Sequence, residues 1–128
     1  SGGGSVVLIG SQSMFLPQIL QAAYASSKGA LLSAMYHMAK ELGPSKIRVN
    51  TVVPTWMWGP PVENYIKGEA KRSGKPIDEV KQGIAANMPL GEIPADEDVA
   101  EAVVFLCSDR ARMISGQSLM VNAGELMR

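Results

Sequence analysis

Val6-Val7-Leu8-Ile9, followed by Gly10-Ser11, is the stretch from which the fold is read. Four aliphatic residues in a row between glycines match a strand buried on both faces of a parallel sheet. Downstream of Pro17, the segment from about Gln21 to Leu42 is rich in Ala, Leu, Met, Lys and Glu, which predicts a long helix. Its apolar residues, Ala30, Leu31, Ala34, Met35, Met38, Ala39 and Leu42, lie on more than one side, so burial on two faces is expected. Gly43-Pro44 should stop it, with glycine as a left-handed cap and proline unable to continue.

Ile47 to Val53 reads as a second strand ending at Pro54, and Ser118 to Val121 as a third. Between them, Val62–Arg72 and Ile77–Asn87 are helical in pattern, and a last helix spans about Asp96 to Ser108. Its first turn carries Asp96, Glu97 and Asp98, where the helix dipole favours negative charge. Strand, helix, strand, two short helices, helix, strand is the order of an α/β domain with parallel strands. The whole chain, 1–128, is expected to be one α/β segment, with residues 55–94 as a substrate-binding lid.

Composition narrows the function classes. The chain has 12 Lys+Arg against 12 Asp+Glu, so nothing electrostatic points to a nucleic-acid partner or an anionic membrane surface. Lys28, Lys40, Arg48 and later charges interrupt every apolar window long enough for a membrane span. Cys107 and His37 are each the one residue of their kind, which leaves no disulfide and no nitrogen and sulfur metal cluster. A reducing, cytoplasmic compartment is expected. Ser1-Gly2-Gly3-Gly4-Ser5 lacks the basic region of a signal peptide, and a chain that does not begin with Met is expected to be a fragment or a processed product.

The chemistry centres on Tyr24-Ala25-Ser26-Ser27-Lys28. A spacing of four sets both side chains on one helical face, where an ammonium favours the phenolate and moves a phenol, ordinarily near 10, towards working pH. The pair alone is weak evidence, because Tyr36 and Lys40 share the spacing. Ser11 separates them: it lies thirteen residues before Tyr24 at the carboxyl end of the first strand, where open parallel sheets bind ligands. Tyr36 stands about 18 Å further along at 1.5 Å per residue and is read as core or interface. His37 reads as a packed or partly exposed helix histidine, Cys107 as a small buried hydrophobe, and Lys67 to Lys75 as a solvated helix face.

Ser11, Tyr24 and Lys28 at this spacing resemble the short-chain dehydrogenases/reductases. The resemblance continues through Ile47-Arg48-Val49-Asn50-Thr51-Val52-Val53-Pro54, Met88-Pro89-Leu90-Gly91, Asp98-Val99-Ala100, Val104 to Asp109, Ile114-Ser115-Gly116-Gln117 and Val121-Asn122-Ala123-Gly124. It covers nearly the whole chain, and implies the C-terminal half of a Rossmann-like doubly wound parallel sheet. The glycine-rich dinucleotide turn, the ribose selector and the catalytic asparagine of the family's first half have no counterpart. Gly2-Gly3-Gly4 precedes a strand rather than following one, so it is not the phosphate turn.

By this resemblance the complete enzyme uses NAD or NADP to interconvert a carbonyl and an alcohol. Ser11, Tyr24 and Lys28 are the implied catalytic residues; Tyr24 and Lys28 with Pro54, Thr55 and Met57 hold the cofactor. Thr55 and Gly59 depart from the family's glycine and threonine at this turn. Ser11, Ser13, Trp56 and Trp58 are substrate-binding candidates, although Ser13 also reads as a plain loop residue and the tryptophans as lid packing. Trp56, Met57, Trp58 and Met88 suggest an apolar wall and hence a small apolar alcohol or ketone. Expected partners are a nucleotide-binding N-terminal half or a second copy in a homo-oligomer. The alternative is a non-catalytic fragment that acts only as an association or packing module.

Overall fold

The computed structural model describes residues 3–128. Three parallel strands, β1 (Gly4–Ile9), β2 (Ile47–Pro54) and β3 (Ser118–Val121), lie in the order β1-β2-β3. Val6 pairs with Val49, Ile9 with Val52 and Pro54 with Val121. Helix α1 (Ala22–Leu42) packs on β2, and α4 (Asp96–Cys107) packs against all three strands. Helices α2 (Pro60–Ser73) and α3 (Ile77–Ala85) pack on each other. The α/β architecture with parallel strands is therefore as expected, with element boundaries shifted by a few residues at most.

The main core joins Val52 of β2 to Val99 and Leu106 of α4 and to Ala111, with Val7, Met57 and Val103 against it. A second cluster, Ile66, Ala85, Met88 and Ile93, holds α2 and α3 together. Polar staples fix the sheet to its surroundings. Arg48 donates from both terminal guanidinium nitrogens to the carbonyls of Leu106, at 2.6 Å, and Ser108, at 3.2 Å, closing the end of α4 where a cation suits the dipole. At the other end of α4, the Asp98 carboxylate accepts the Ala95 N–H at 2.8 Å.

Asn50 is fully buried and donates to the Ile114 carbonyl while accepting from Gln117 N–H, both at 3.0 Å, so it aligns β2 with the turn that delivers β3. Asn50→Leu strands both of those backbone groups. The expected loss is about 2–6 kcal/mol of folding stability, since each of the two buried groups left without a partner costs about 1–3 kcal/mol. Urea denaturation of the two proteins measures it.

Four local expectations are corrected. Gly43 is right-handed, with φ −54°, and the chain turns one short helical turn later at Lys46, with φ 60°. Pro44 at the start of that turn lets the helix tighten before it ends. Helix α1 is covered on one side: Met35 is its fully buried residue, while Ala30, Leu31, Ala34 and Tyr36 are exposed. Tyr36 is therefore not in the core of this chain. Cys107 is exposed as well, because it is the last residue of α4 and turns away from the sheet side occupied by Leu106. His37 is exposed, its Nδ1 2.9 Å from the Ser33 carbonyl, and Arg72 lies on a solvated face of α2, where its hydrogen bond to the Glu69 carboxylate raises the guanidinium pKa above its ordinary value.

Candidate active site

At the carboxyl end of β1 the chain passes Gly10, where a Cβ would stand 2.7 Å from Met14 Cε and 3.0 Å from Thr51 Cγ2. A side chain there would have to displace the Met14 thioether and crowd Thr51, so the absence of a Cβ lets the loop pack closely on β2. Ser11 follows in extended conformation and caps a short helical turn, Gln12–Met14, by accepting from Ser13 N–H at 3.3 Å. The Ser11 and Ser13 hydroxyl oxygens lie 2.9 Å apart. The structure thus brings Ser13 to Ser11 directly.

Tyr24 and Lys28 sit in the first two turns of α1. Lys28 Nζ is 5.7 Å from the Tyr24 ring centre and donates to the Ile9 carbonyl at 3.2 Å. That bond ties the pair to the strand end, two residues before Ser11. Tyr24 is 47% exposed and is not among the residues that line the cleft beside Ser11.

Behind Ser11 runs a polar network that the sequence did not reveal. Gln12, 2% exposed, accepts from Asn122 Nδ2 at 2.6 Å and donates to Glu125 Oε1 at 2.7 Å. Thr55 Oγ1 donates to the same Glu125 oxygen at 2.6 Å. Through Glu125 the loop after β1, the end of β2 and the segment after β3 are held together. Gln12 and Glu125 are 113 residues apart, and no local pattern signals such a contact.

The cofactor candidates at the turn after β2 separate. Pro54 closes the ladder beside Val121, Thr55 is engaged with Glu125, and Met57 packs on the main core. Trp56 reaches the cleft beside Ser11 and stacks on Tyr65 with ring centres 5.2 Å apart. Trp58 does not: it packs on the α2–α3 cluster, with Lys81 Nζ 4.0 Å over its ring. Met88 is buried in the same cluster. Of the four residues expected to form an apolar substrate wall, Trp56 alone lines the cleft while also packing against the α2–α3 cluster; Met57, Trp58 and Met88 are taken up by packing.

A nicotinamide fits the groups at this end in part. Tyr24 and Lys28 are within reach of solvent, with hydroxyl and ammonium available to a ribose. The phosphate end has no such site in the glycine run. A Cβ on Gly3, which has φ 106°, would fall 2.2 Å from the Lys46 carbonyl oxygen, so that glycine serves close packing at the start of β1, and Gly2 lies outside the described residues. Among the described residues no group of three or more His, Cys, Asp or Glu is placed to hold a metal, and no helix is long and apolar enough to cross a membrane.

Parallel strands flanked by helices, with polar side chains gathered beyond the carboxyl end of β1, place this chain in the Rossmann-like class. A family profile described as enoyl-(acyl carrier protein) reductase matches residues 1–125. Carbonyl reductase (NADPH) 2 of Sus scrofa is 36% identical over 123 residues, which cover 96% of this chain and 47% of that protein. The crystal structure of a short chain dehydrogenase family protein from Francisella tularensis superposes with a TM-score of 0.90 at 31% identity, over 98% of this chain and 52% of that one. L-Sorbose reductase from Gluconobacter frateurii, solved with NADPH and L-sorbose, gives a TM-score of 0.91 at 28% identity, over 99% and 49%. The chain belongs to the short-chain dehydrogenase/reductase family, and its relatives are oxidoreductases. It spans about half the length of the curated relatives it matches.

Proposed function

We propose that this chain carries the reacting side chains of an NAD(P)-dependent oxidoreductase that interconverts a carbonyl and an alcohol, and that it works with a nucleotide-binding half. The observation that carries the reading is the bond from Lys28 Nζ to the Ile9 carbonyl, which sets the Tyr24–Lys28 pair beside the strand end that delivers Ser11. In this reading Ser11 Oγ donates to the substrate oxygen, oriented by its contact with Ser13 Oγ. Tyr24 gives the proton to that oxygen in reduction and takes it in oxidation. The Lys28 ammonium favours negative charge on the phenol oxygen as the proton moves, and with Tyr24 it holds the nicotinamide ribose. Pro54, Thr55 and Met57 would meet the nicotinamide through their backbone, since the Thr55 hydroxyl and the Met57 side chain are engaged elsewhere. The nicotinamide, when bound, exchanges hydride with the substrate carbon.

A second reading, that the chain serves only for association, is favoured by the uncovered apolar side of α1. Calorimetric titration with NADH and NADPH separates the two. The chain alone is expected to show no binding in the micromolar range, and binding is expected to appear when the nucleotide-binding half is present. A complete protein that binds neither dinucleotide, and turns over no member of a panel of alcohols and ketones, leaves the association reading.

A further inference from the structure

The segment after β3 carries a charged group whose partners belong to two other parts of the candidate site. Glu125 Oε1 accepts from Gln12 Nε2 at 2.7 Å and from Thr55 Oγ1 at 2.6 Å. Gln12 directly follows Ser11 and is 2% exposed, and Thr55 stands in the turn after β2. One carboxylate oxygen therefore joins the loop that bears Ser11 to the turn read as meeting the nicotinamide. Hydrogen bonds to an ionised acceptor are roughly twice as strong as neutral ones, so this link resists opening.

Glu125 is itself held in place. Ala123 and Gly124 before it are left-handed, with φ 52° and 86°, and the turn is closed by Gly124 N–H on Asn122 Oδ1 at 3.0 Å and Glu125 N–H on the Asn122 carbonyl at 2.9 Å. Asn122, 5% exposed, donates to Gln12 Oε1 at 2.6 Å, so both ends of the Gln12 amide are engaged by the segment after β3. The same segment meets the Ser11 loop again where the Arg128 guanidinium lies 4.1 Å over the Phe15 ring. The bonds of Ser11 are local by comparison, to Ser13 N–H, Ser13 Oγ and Met14 N–H. Local bonds fix the shape of the loop; its place against the turn after β2 is set through Gln12.

We propose that Glu125 is a positioning residue for the reaction: through Gln12 and Thr55 it fixes the Ser11 hydroxyl relative to the nicotinamide turn. This rests on the reading of Ser11 as the donor to the substrate oxygen. A displaced donor weakens an interaction that counts most as charge develops on that oxygen, so the loss falls on kcat rather than on KM.

The test uses the protein together with its nucleotide-binding half, with NADH and NADPH and the ketone of the alcohol and ketone panel that it reduces fastest. Glu125→Ala is expected to lower kcat by about ten-fold or more while KM changes by less than about two-fold. Glu125→Gln, whose amide oxygen can still accept from both donors, is expected to recover most of that loss. In the protein without ligand, the amide hydrogens of Met14, Phe15 and Leu16 are bonded within the loop and are expected to exchange about ten-fold faster in Glu125→Ala, while those of β2 stay within about two-fold. In a Ser11→Ala background, Glu125→Ala is expected to cost less than about three-fold more, because no hydroxyl is left to misplace.

An unchanged kcat in Glu125→Ala, an alanine effect that glutamine does not relieve, full additivity with Ser11→Ala, or faster exchange that extends over β2 each overturns the proposal. Should Glu125→Ala not fold, Thr55→Val, which removes one of the two donors, is expected to lower kcat in the same direction, and an unchanged kcat again overturns it. Ser11→Ala keeps the two readings apart. Full turnover without the Ser11 hydroxyl, or no reduction of any ketone by the unaltered protein, sinks the catalytic reading and the positioning role with it. A rate lost in Ser11→Ala but kept in Glu125→Ala sinks the role of Glu125 alone.

Discussion

Tyr24→Phe in the protein that includes a nucleotide-binding half is expected to lower the hydride-transfer rate by about 10²–10⁴, the usual contribution of a positioned proton donor. The substitution removes one oxygen and keeps the ring. The ring is what Lys28 Nζ approaches at 5.7 Å, and Lys28 has its own anchor in the Ile9 carbonyl, so the helix start and the lysine should stay in place. Tyr24 is half exposed at the surface of α1 and its backbone carbonyl accepts from Ser27 Oγ regardless of the side chain. Stability should therefore change by a few tenths of a kcal/mol at most, as at other surface positions. A large loss of rate with an unchanged melting temperature is the expected signature, read by single-turnover absorbance and thermal denaturation. A variant that retains its rate would remove Tyr24 from the chemistry and leave Ser11 without its proton partner.

The features legible in the sequence are those written in neighbouring residues. Val6 to Ile9 gave β1, the composition of Gln21 to Leu42 gave α1, and Asp96, Glu97 and Asp98 marked the start of α4. The spacing of Ser11, Tyr24 and Lys28 pointed to one strand end; Lys28 reaches that end through the Ile9 carbonyl, while Tyr24 is half exposed and outside the cleft beside Ser11. What escaped depends on distant parts of the chain. Glu125 gathers Gln12 and Thr55 across 113 and 70 residues, and nothing around Glu125 announces that role. Composition likewise counted Met57, Trp58 and Met88 as available to a ligand, but whether an apolar side chain lines a cleft or fills a core is decided by packing. The same limit explains α1. Its pattern correctly shows two apolar sides, yet a pattern cannot say whether both are covered within the chain. Thr55 is the opposite case: a departure from the family pattern that finds its reason in a hydrogen bond to Glu125.

The 128-residue chain by itself is expected not to persist as a monomer. Strand β1 is hydrogen-bonded to β2 on one side and is the edge of the sheet on the other, with Val6, Val7 and Leu8 half-buried and Ile9 41% exposed. An apolar edge with free backbone donors and acceptors is a template for pairing with another strand. Beside it, α1 leaves Leu31 36% and Tyr36 50% exposed, with Ala30 and Ala34 also uncovered. Each 100 Å² of apolar surface left in water forgoes about 2.5 kcal/mol, so a few hundred Å² is comparable with the about 5–15 kcal/mol that stabilises a whole domain. Three arrangements relieve this: a nucleotide-binding half docked on β1 and α1, two copies exchanging elements, or a larger assembly through the same surfaces. Light scattering on the chain alone is expected to report a dimer or larger species, and adding the nucleotide-binding half is expected to replace it with a stoichiometric complex. A folded monomer, stable at micromolar concentration with β1 as its open edge, would mean that the residual core suffices without either surface being covered.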